Sequence, residues 1–246
     1  MTSIELAAPV RLRAPAKVNL GLEVLTRRPD GYHDVVTILQ SVSLFDTIDL
    51  LPAPALRYTP LEGLERESDL LWRAVRLAET TFGVRLLAEI RLQKHIPLAA
   101  GLGGGSSDAG TLLGALAFLA GIPIDEMERA AAALGSDVPF FVRGGTALAT
   151  GTGTDLTPLD ATPNAWFVIV VPDLVIPAKT AALYRALTPD QFTDGTATRR
   201  LAAALARGET LDTRLMRNAF TPVLRQWDAV SRAIDALHAA GAPVVL

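Results

Sequence analysis

The chain has 246 residues, half of them hydrophobic, and a net charge of −3. That apolar content can fill one large core or two modest ones, which argues against disorder, and the weak negative charge argues against non-specific attraction to nucleic acid or anionic membrane. Cysteine is absent, which excludes disulfides, thiolate metal sites and cysteine nucleophiles and fits a cytoplasmic setting. The start MTSIELAAPVRLRAP lacks an apolar signal core, and the runs LLGALAFLAGIPI and AWFVIVV fall short of the ~20 residues a membrane helix needs.

Residues 17–25, KVNLGLEVL, alternate, with Val18, Leu20, Leu22 and Val24 on one face and Lys17, Asn19, Gly21 and Glu23 on the other; this predicts a half-buried strand. After the turn signal in RPDGYH, DVVTILQSVSLFDTIDLL returns to strand character, so residues 17–51 read as antiparallel β structure. ESDLLWRAVRLAETTFG switches to helical spacing, with Ser68 or Asp69 as N-cap and Gly83 as terminator. VRLLAEIRLQKHIP reads as a strand with charges at Arg85, Glu89 and Arg91. SSDAGTLLGALAFLAG predicts a buried helix, DEMERAAAALG a second running from Asp125 to Gly135, and RGGTALATGTGTDLTPL a hairpin with glycines at its turns. The proline cluster at 156–165, LTPLDATPNA, precedes an expected strand, WFVIVV. It marks the expected boundary between an N-terminal domain over 1–158 and a C-terminal domain over 159–246.

PLAAGLGGGSSDAG at 97–110 spends four glycines in five positions just before a helix. Glycines admit positive φ and let backbone approach a ligand, and a helix start offers unpaired N–H groups and partial positive charge, which together make an anion cradle. The plain alternative is a flexible connection whose Ser106 and Ser107 cap the helix. A P-loop needs lysine where Ser106 stands, so that pattern fails; a dinucleotide fingerprint matches at Gly101 and Gly103 but has Ser106 in place of its third glycine and follows a strand charged on alternate residues, so it is a weak match.

The glycine run resembles the phosphate-binding motif of the GHMP kinases. APAKVNLGL at 14–22, RRPDGYHDVVTILQSV at 27–42 and LGSDVPFFVRGGTALATGTG at 134–153 narrow the resemblance to the branch acting on 4-diphosphocytidyl-2-C-methyl-D-erythritol. The four motifs occur in the family's order, and the likeness covers most of residues 14–190. It implies ATP-dependent phosphorylation of that substrate's 2-hydroxyl, a step of the non-mevalonate isoprenoid precursor pathway. The implied fold is α+β, with an N-terminal domain like ribosomal protein S5 domain 2 and a ferredoxin-like C-terminal domain. The family continues into another glycine- and serine-rich loop beyond AIDALHAAGAPVVL, so the resemblance also implies a truncated C-terminus. Gly110 replaces the second alanine usual after the motif aspartate, a change expected to weaken the helix slightly.

The resemblance further implies roles for individual residues. Lys17 and Asp137 match the catalytic pair beside the acceptor hydroxyl, Asp137 as base. An adjacent ammonium keeps a carboxylate ionised but weakens it as a base, so Lys17 is expected to steady Asp137 and offset transferred charge. Read alone, these two residues are equally a snorkelling strand lysine and an N-cap aspartate. Pro97, Ala100, Gly101, Leu102, Gly103, Gly104, Gly105, Ser106 and Ser107 are the implied ATP-binding set. Asn19, Tyr32, His33, Thr180 and Tyr184 are the implied substrate-binding set, the histidine bonding the cytosine and the tyrosines stacking on it; outside the family, Tyr32–His33 is an ordinary surface turn. His95 and His238 read as surface or structural. Magnesium is expected to arrive with ATP, with no residue assigned as its ligand. A monomer or weak homodimer is expected, without nucleic-acid or membrane partners. Two readings stay open: a GHMP relative acting on homoserine or mevalonate, and a catalytically silent nucleotide-binding module.

Overall fold

The computed structural model describes residues 2–159 and 165–246. In chain order its strands and helices are β1 (Thr2–Glu5), β2 (Val10–Arg27), β3 (His33–Pro52), β4 (Arg57–Tyr58), α1 (Leu70–Phe82), β5 (Val84–Gln93), α2 (Gly104–Ala120), α3 (Ile124–Ala131), α4 (Val138–Arg143), β6 (Thr146–Thr150), β7 (Asp155–Leu159), α5 (Lys179–Ala186), α6 (Thr196–Ala206), α7 (Thr221–Leu224) and α8 (Asp228–Ala239). The chain forms two compact units, one from Met1–Lys17 with Ser41–Gly144, the other from Val18–Gln40 with Gly145–Leu246. The long strands β2 and β3, which pair with each other, therefore each contribute to both. The boundary expected at 156–165 includes 160–164, outside the described residues.

In the first unit, α1 begins and ends as its sequence predicts. The Asp69 carboxylate accepts from the amides of Leu71 and Trp72, and Gly83 closes the helix in the left-handed region at φ 64°. Its apolar stripe buries Leu71, Ala74, Val75 and Ala78. β5 alternates as expected, burying Val84, Leu86, Ala88 and Ile90. It runs parallel to β1 and antiparallel to the Thr47–Pro52 stretch of β3. These faces share a core with Leu112, Leu113 and Leu116 of α2 and Met127 of α3. α3 is shorter than the expected 125–135: its helical stretch stops at Ala131, and the next residues form tighter turns leading to Gly135.

Gly110 does more than weaken a helix. A Cβ there would lie 2.5 Å from Phe141 Cβ and 2.7 Å from the Val138 carbonyl, and one on Gly114 would lie 2.6 Å from the Val142 carbonyl. Two glycines one turn apart thus let the backbone of α4 press against α2, an approach that side chains would prevent.

In the second unit, Thr37–Gln40 of β3 pairs antiparallel with β6, and β6 forms a hairpin with β7 whose turn uses Gly151 and Gly153 at positive φ. Leu20 and Ile38 pack on Leu201, Leu205 and Met216, while Val24 and Val35 pack on Leu183, Phe220 and Val223. The polar face of β2 is covered rather than solvated. Glu23 is buried, accepting from the Thr193 hydroxyl at 2.9 Å and from the Thr198 amide at 2.7 Å, so it serves the start of α6. A Cβ on Gly21 would meet the Thr198 hydroxyl at 2.9 Å.

WFVIVV does not form a strand. Phe167 turns inward onto the Leu20 cluster while Trp166 is 98 % exposed and Val168 80 %, so the alternation persists without a ladder. Side-chain pattern sets which face is buried, but a strand also needs a backbone partner, and this segment pairs with no described strand. No helix among the described residues is long and apolar enough to cross a membrane.

Candidate active site

The loop from β5 to α2 is shaped by its left-handed residues: Ala99 at φ 55°, Gly101 at 86° and Gly103 at 74°. Ala99 is one of two non-glycine residues with positive φ among the described residues, and such a conformation stores about 1–2 kcal/mol. Gly103 is required twice over. Besides its φ, a Cβ there would lie 2.8 Å from the Phe141 ring and 3.2 Å from Lys17 Cγ. The helix starts at Gly104, earlier than the serines predict, with Gly103 at the N-cap position and no side-chain cap. The amides of the first turn of α2 therefore lack partners inside the helix and point out of its start.

The loop is fastened to β2 at two points. Leu102 O accepts from the Lys17 amide at 3.0 Å, and Ser107 Oγ donates to Pro15 O at 2.6 Å. The alternative in which Ser107 caps the helix does not hold, since its side chain is buried and its amide donates to Gly103 O at 2.7 Å. Pro97, Ala100, Gly101, Leu102, Gly103, Gly104, Gly105, Ser106 and Ser107 follow one another along the loop and first turn. Leu102 and Ser107 have buried side chains, while Pro97, Gly101 and Gly105 are exposed.

Lys17 is buried at the end of its stretch of β2, and its Nζ lies 3.8 Å from Asp137 Oδ2. Asp137 occupies the N-cap position of α4, yet its side chain makes no cap hydrogen bond. The carboxylate instead faces the ammonium and stays 40 % exposed. Of the two plain readings, the capping aspartate fails on geometry.

Three charged residues that the motif reading passed over lie behind the loop. Lys94 pairs with Asp46 and, at 2.6 Å, with Asp108 Oδ2. Asp46 Oδ1 also accepts from the amides of His95 and Ile96 at 2.5 and 2.8 Å. Asp108 follows the paired serines directly, which was a usable signal. Asp46, in a strand 48 residues before Lys94, gave none.

The expected substrate residues Asn19, Tyr32, His33, Thr180 and Tyr184 all belong to the second unit. His33 stacks on Tyr184 with centroids 5.0 Å apart and an interplanar angle of 22°, and Phe220 meets the Tyr184 ring edge-on at 4.9 Å. Burial and the nearby Arg27 charge hold the His33 pKa below its usual value, favouring the neutral ring that both donates and accepts. Tyr32 is held in its turn by an Asp30 carboxylate accepting from its amide at 3.0 Å, and its ring is 67 % exposed. The face expected to stack with Tyr32 around a base is thus taken by His33 here. Thr180 and Tyr184 lie one turn apart on α5, whose N-cap, Ala178, is the other non-glycine residue at positive φ, 46°. Asn19 Nδ2 donates to Thr37 Oγ1 at 2.7 Å, which in turn donates to Gly21 O. His95 and His238 are exposed, as expected. Among the described residues, no three His, Asp or Glu side chains gather as a metal-binding group.

Residues 69–145 match the family model for the GHMP kinases N terminal domain. Over 216 residues the chain is 43 % identical to a 4-diphosphocytidyl-2-C-methyl-D-erythritol kinase of Dehalococcoides mccartyi, an alignment covering 86 % of this chain and 76 % of that protein. It is 47 % identical over 182 residues to the Geobacter metallireducens protein of the same name, covering 72 % and 64 %. Among solved structures it is similar to a 4-(cytidine 5'-diphospho)-2C-methyl-D-erythritol kinase, with a TM-score of 0.74 and 36 % identity over 94 % of this chain and 84 % of that one. A homoserine kinase from Cytophaga hutchinsonii, at TM-score 0.66 and 18 % identity over 96 % and 80 %, shares the fold.

Proposed function

The chain belongs to the 4-diphosphocytidyl-2-C-methyl-D-erythritol kinase family of the GHMP kinases, and from that premise we propose that it transfers the γ-phosphoryl group of ATP to the 2-hydroxyl of 4-diphosphocytidyl-2-C-methyl-D-erythritol. The observation that carries this reading is the Asp137 carboxylate, which sits at a helix start without capping it and faces Lys17 at 3.8 Å.

In this reading the first-turn amides of α2 and the open backbone of Gly101–Gly105 bind the triphosphate, whose magnesium enters as part of the substrate. The acceptor oxygen attacks the γ-phosphorus, the bond to the β–γ bridging oxygen breaks, and ADP leaves. Asp137 accepts the hydroxyl proton as the new P–O bond forms, and Lys17 orients that carboxylate while offsetting charge on the phosphoryl oxygens. In a loose transition state, alignment of the acceptor oxygen counts for more than early deprotonation. His33, in its neutral form, hydrogen-bonds the cytosine, Tyr184 stacks on it, and Asn19, Tyr32 and Thr180 complete recognition.

Measuring ADP release with and without the cytidyl substrate tests the reading. Release that depends on 4-diphosphocytidyl-2-C-methyl-D-erythritol supports it; release equally stimulated by homoserine or mevalonate, or none with any acceptor, overturns it.

A further inference from the structure

The charge cluster behind the glycine loop is asymmetric. Lys94 is shared between Asp46 and Asp108, all three nearly buried, with side-chain exposures of 13, 0 and 4 %. Asp46 has partners for both oxygens: the His95 and Ile96 amides on Oδ1 and Lys94 on Oδ2. Asp108 has Lys94 on Oδ2 and lies within hydrogen-bonding reach of the Asp46 carboxylate, and its buried Oδ1 has no hydrogen-bond partner. Two carboxylates against one ammonium would leave a net negative charge in a dry site, which is costly, and the under-bonded carboxyl is where a proton relieves it. The other titratable group that Asp108 influences is Tyr58 of β4, whose hydroxyl donates to the α1 cap Asp69 at 2.5 Å and so is committed elsewhere. In keeping with this geometry, burial above all, together with Asp46, pushes the Asp108 pKa up to about 7 against the opposing pull of Lys94.

The cluster also touches the nucleotide end of α2. A Cβ on Gly104, the first residue of that helix, would lie 3.2 Å from Lys94 Nζ. An ammonium at a helix N-terminus opposes the helix dipole unless carboxylates or a bound anion compensate it.

We propose that Asp108 is a positioning residue of the nucleotide site, taking up a proton from solvent when phosphates settle on the glycine loop and so leaving the Lys94 ammonium available to them. The step is a protonation, with carboxylate and one solvent proton giving the neutral acid, and no bond of the nucleotide changes. It rests on the nucleotide-binding reading above. Because a polyanion beside the cluster favours the protonated form, the linkage has one sign. Affinity is highest while Asp108 is protonated and falls as pH rises through about 7.

Isothermal titration calorimetry of MgATP binding, in two buffers of different ionisation enthalpy from pH 6 to 8.5, compares the wild-type chain with Asp108→Asn. The nucleotide's own protonation is common to both proteins. The expected result is up to about one more proton taken up by the wild type near pH 8, with its Kd weakening by up to about tenfold per pH unit above 7 relative to the variant. A merely structural Asp108 would shift Tm but leave proton uptake equal in the two proteins, and equal uptake overturns the proposal. If Asp108→Asn does not fold, NMR of wild-type protein labelled at aspartate 13Cγ decides. A carboxyl titrating near neutrality that moves upward on adding MgATP supports the proposal; no such carboxyl overturns it. A wild-type chain that binds no MgATP at all refutes the nucleotide reading itself, and the proposal with it.

Discussion

The glycine loop of the first unit and the aromatic group of the second are built on different principles. Around the glycine loop the components are backbone amides, one main-chain and one serine-hydroxyl anchor to β2, and buried charges behind them, with a glycine where a Cβ would collide with Phe141. Around His33 and Tyr184 they are side chains at the start of β3, on the eight-residue α5 and at the start of α7, touching one another face to face and edge to face. A triphosphate has one shape and a large charge, so a fixed backbone cradle suits it. A pyrimidine is read by ring faces and a few polar edges, which rotatable side chains supply.

Substitutions can break or sharpen this contrast. The largest effect is expected from Asp137→Asn, which keeps shape and ATP affinity but should lower kcat about 10²–10⁴-fold; single-turnover assays beside ATP titrations would show both, and a kcat near wild type would remove Asp137 from the chemistry. Gly114→Ala places a methyl against the Val142 carbonyl and should cost about 1–3 kcal/mol of stability, read as a lowered Tm, with ATP affinity falling because α2 shifts. Tyr184→Ala should weaken the cytidyl substrate by about 1–3 kcal/mol while leaving the KM for ATP unchanged, and equal losses for both would erase the distinction between the two regions. The pH dependence of stability offers a smaller effect. The folded Asp108 pKa, raised to about 7 from a usual value of 3.8, means the folded chain binds the extra proton, so stability falls as pH rises from about 4 to 7. Melting curves should show Asp108→Asn gaining on wild type across that interval. The smallest change is expected from Ala99→Gly, where relief of the left-handed strain is partly cancelled by a floppier unfolded chain, for a net gain within about 1 kcal/mol in Tm-derived stability.

Much of this was legible in one dimension. The span of α1, its aspartate cap and glycine stop, the alternation of β5 and the β6–β7 hairpin all follow from local pattern, because each depends on near neighbours in the chain. The glycine loop and the spacing of Lys17 and Asn19 were equally visible, and the family resemblance attached chemistry to them. What stayed hidden required a distant partner. Glu23 looked like part of a solvated face but accepts from residues 170 and 175 positions away. Asp46 gave no local sign that it would join a lysine and an aspartate behind the loop. WFVIVV has the composition of a strand, and composition cannot supply a neighbouring backbone.

The sequence by itself determined the span and caps of α1, the alternation of β5 and the β6–β7 hairpin, that the chain is a mixed α/β protein, and that residues 97–110 would turn sharply into a helix start. Those outcomes are set by capping, periodicity and the torsional freedom of glycine, which act over a few residues. Only the tertiary structure decided that Asp137 would face Lys17 instead of capping α4, that Gly110 and Gly114 would bring α4 onto α2, and that Asp108 would be left with one buried oxygen unpaired. The reason is that burial, electrostatic pairing and steric fit are properties of the neighbours a residue acquires on folding, and these are drawn from the whole length of the chain.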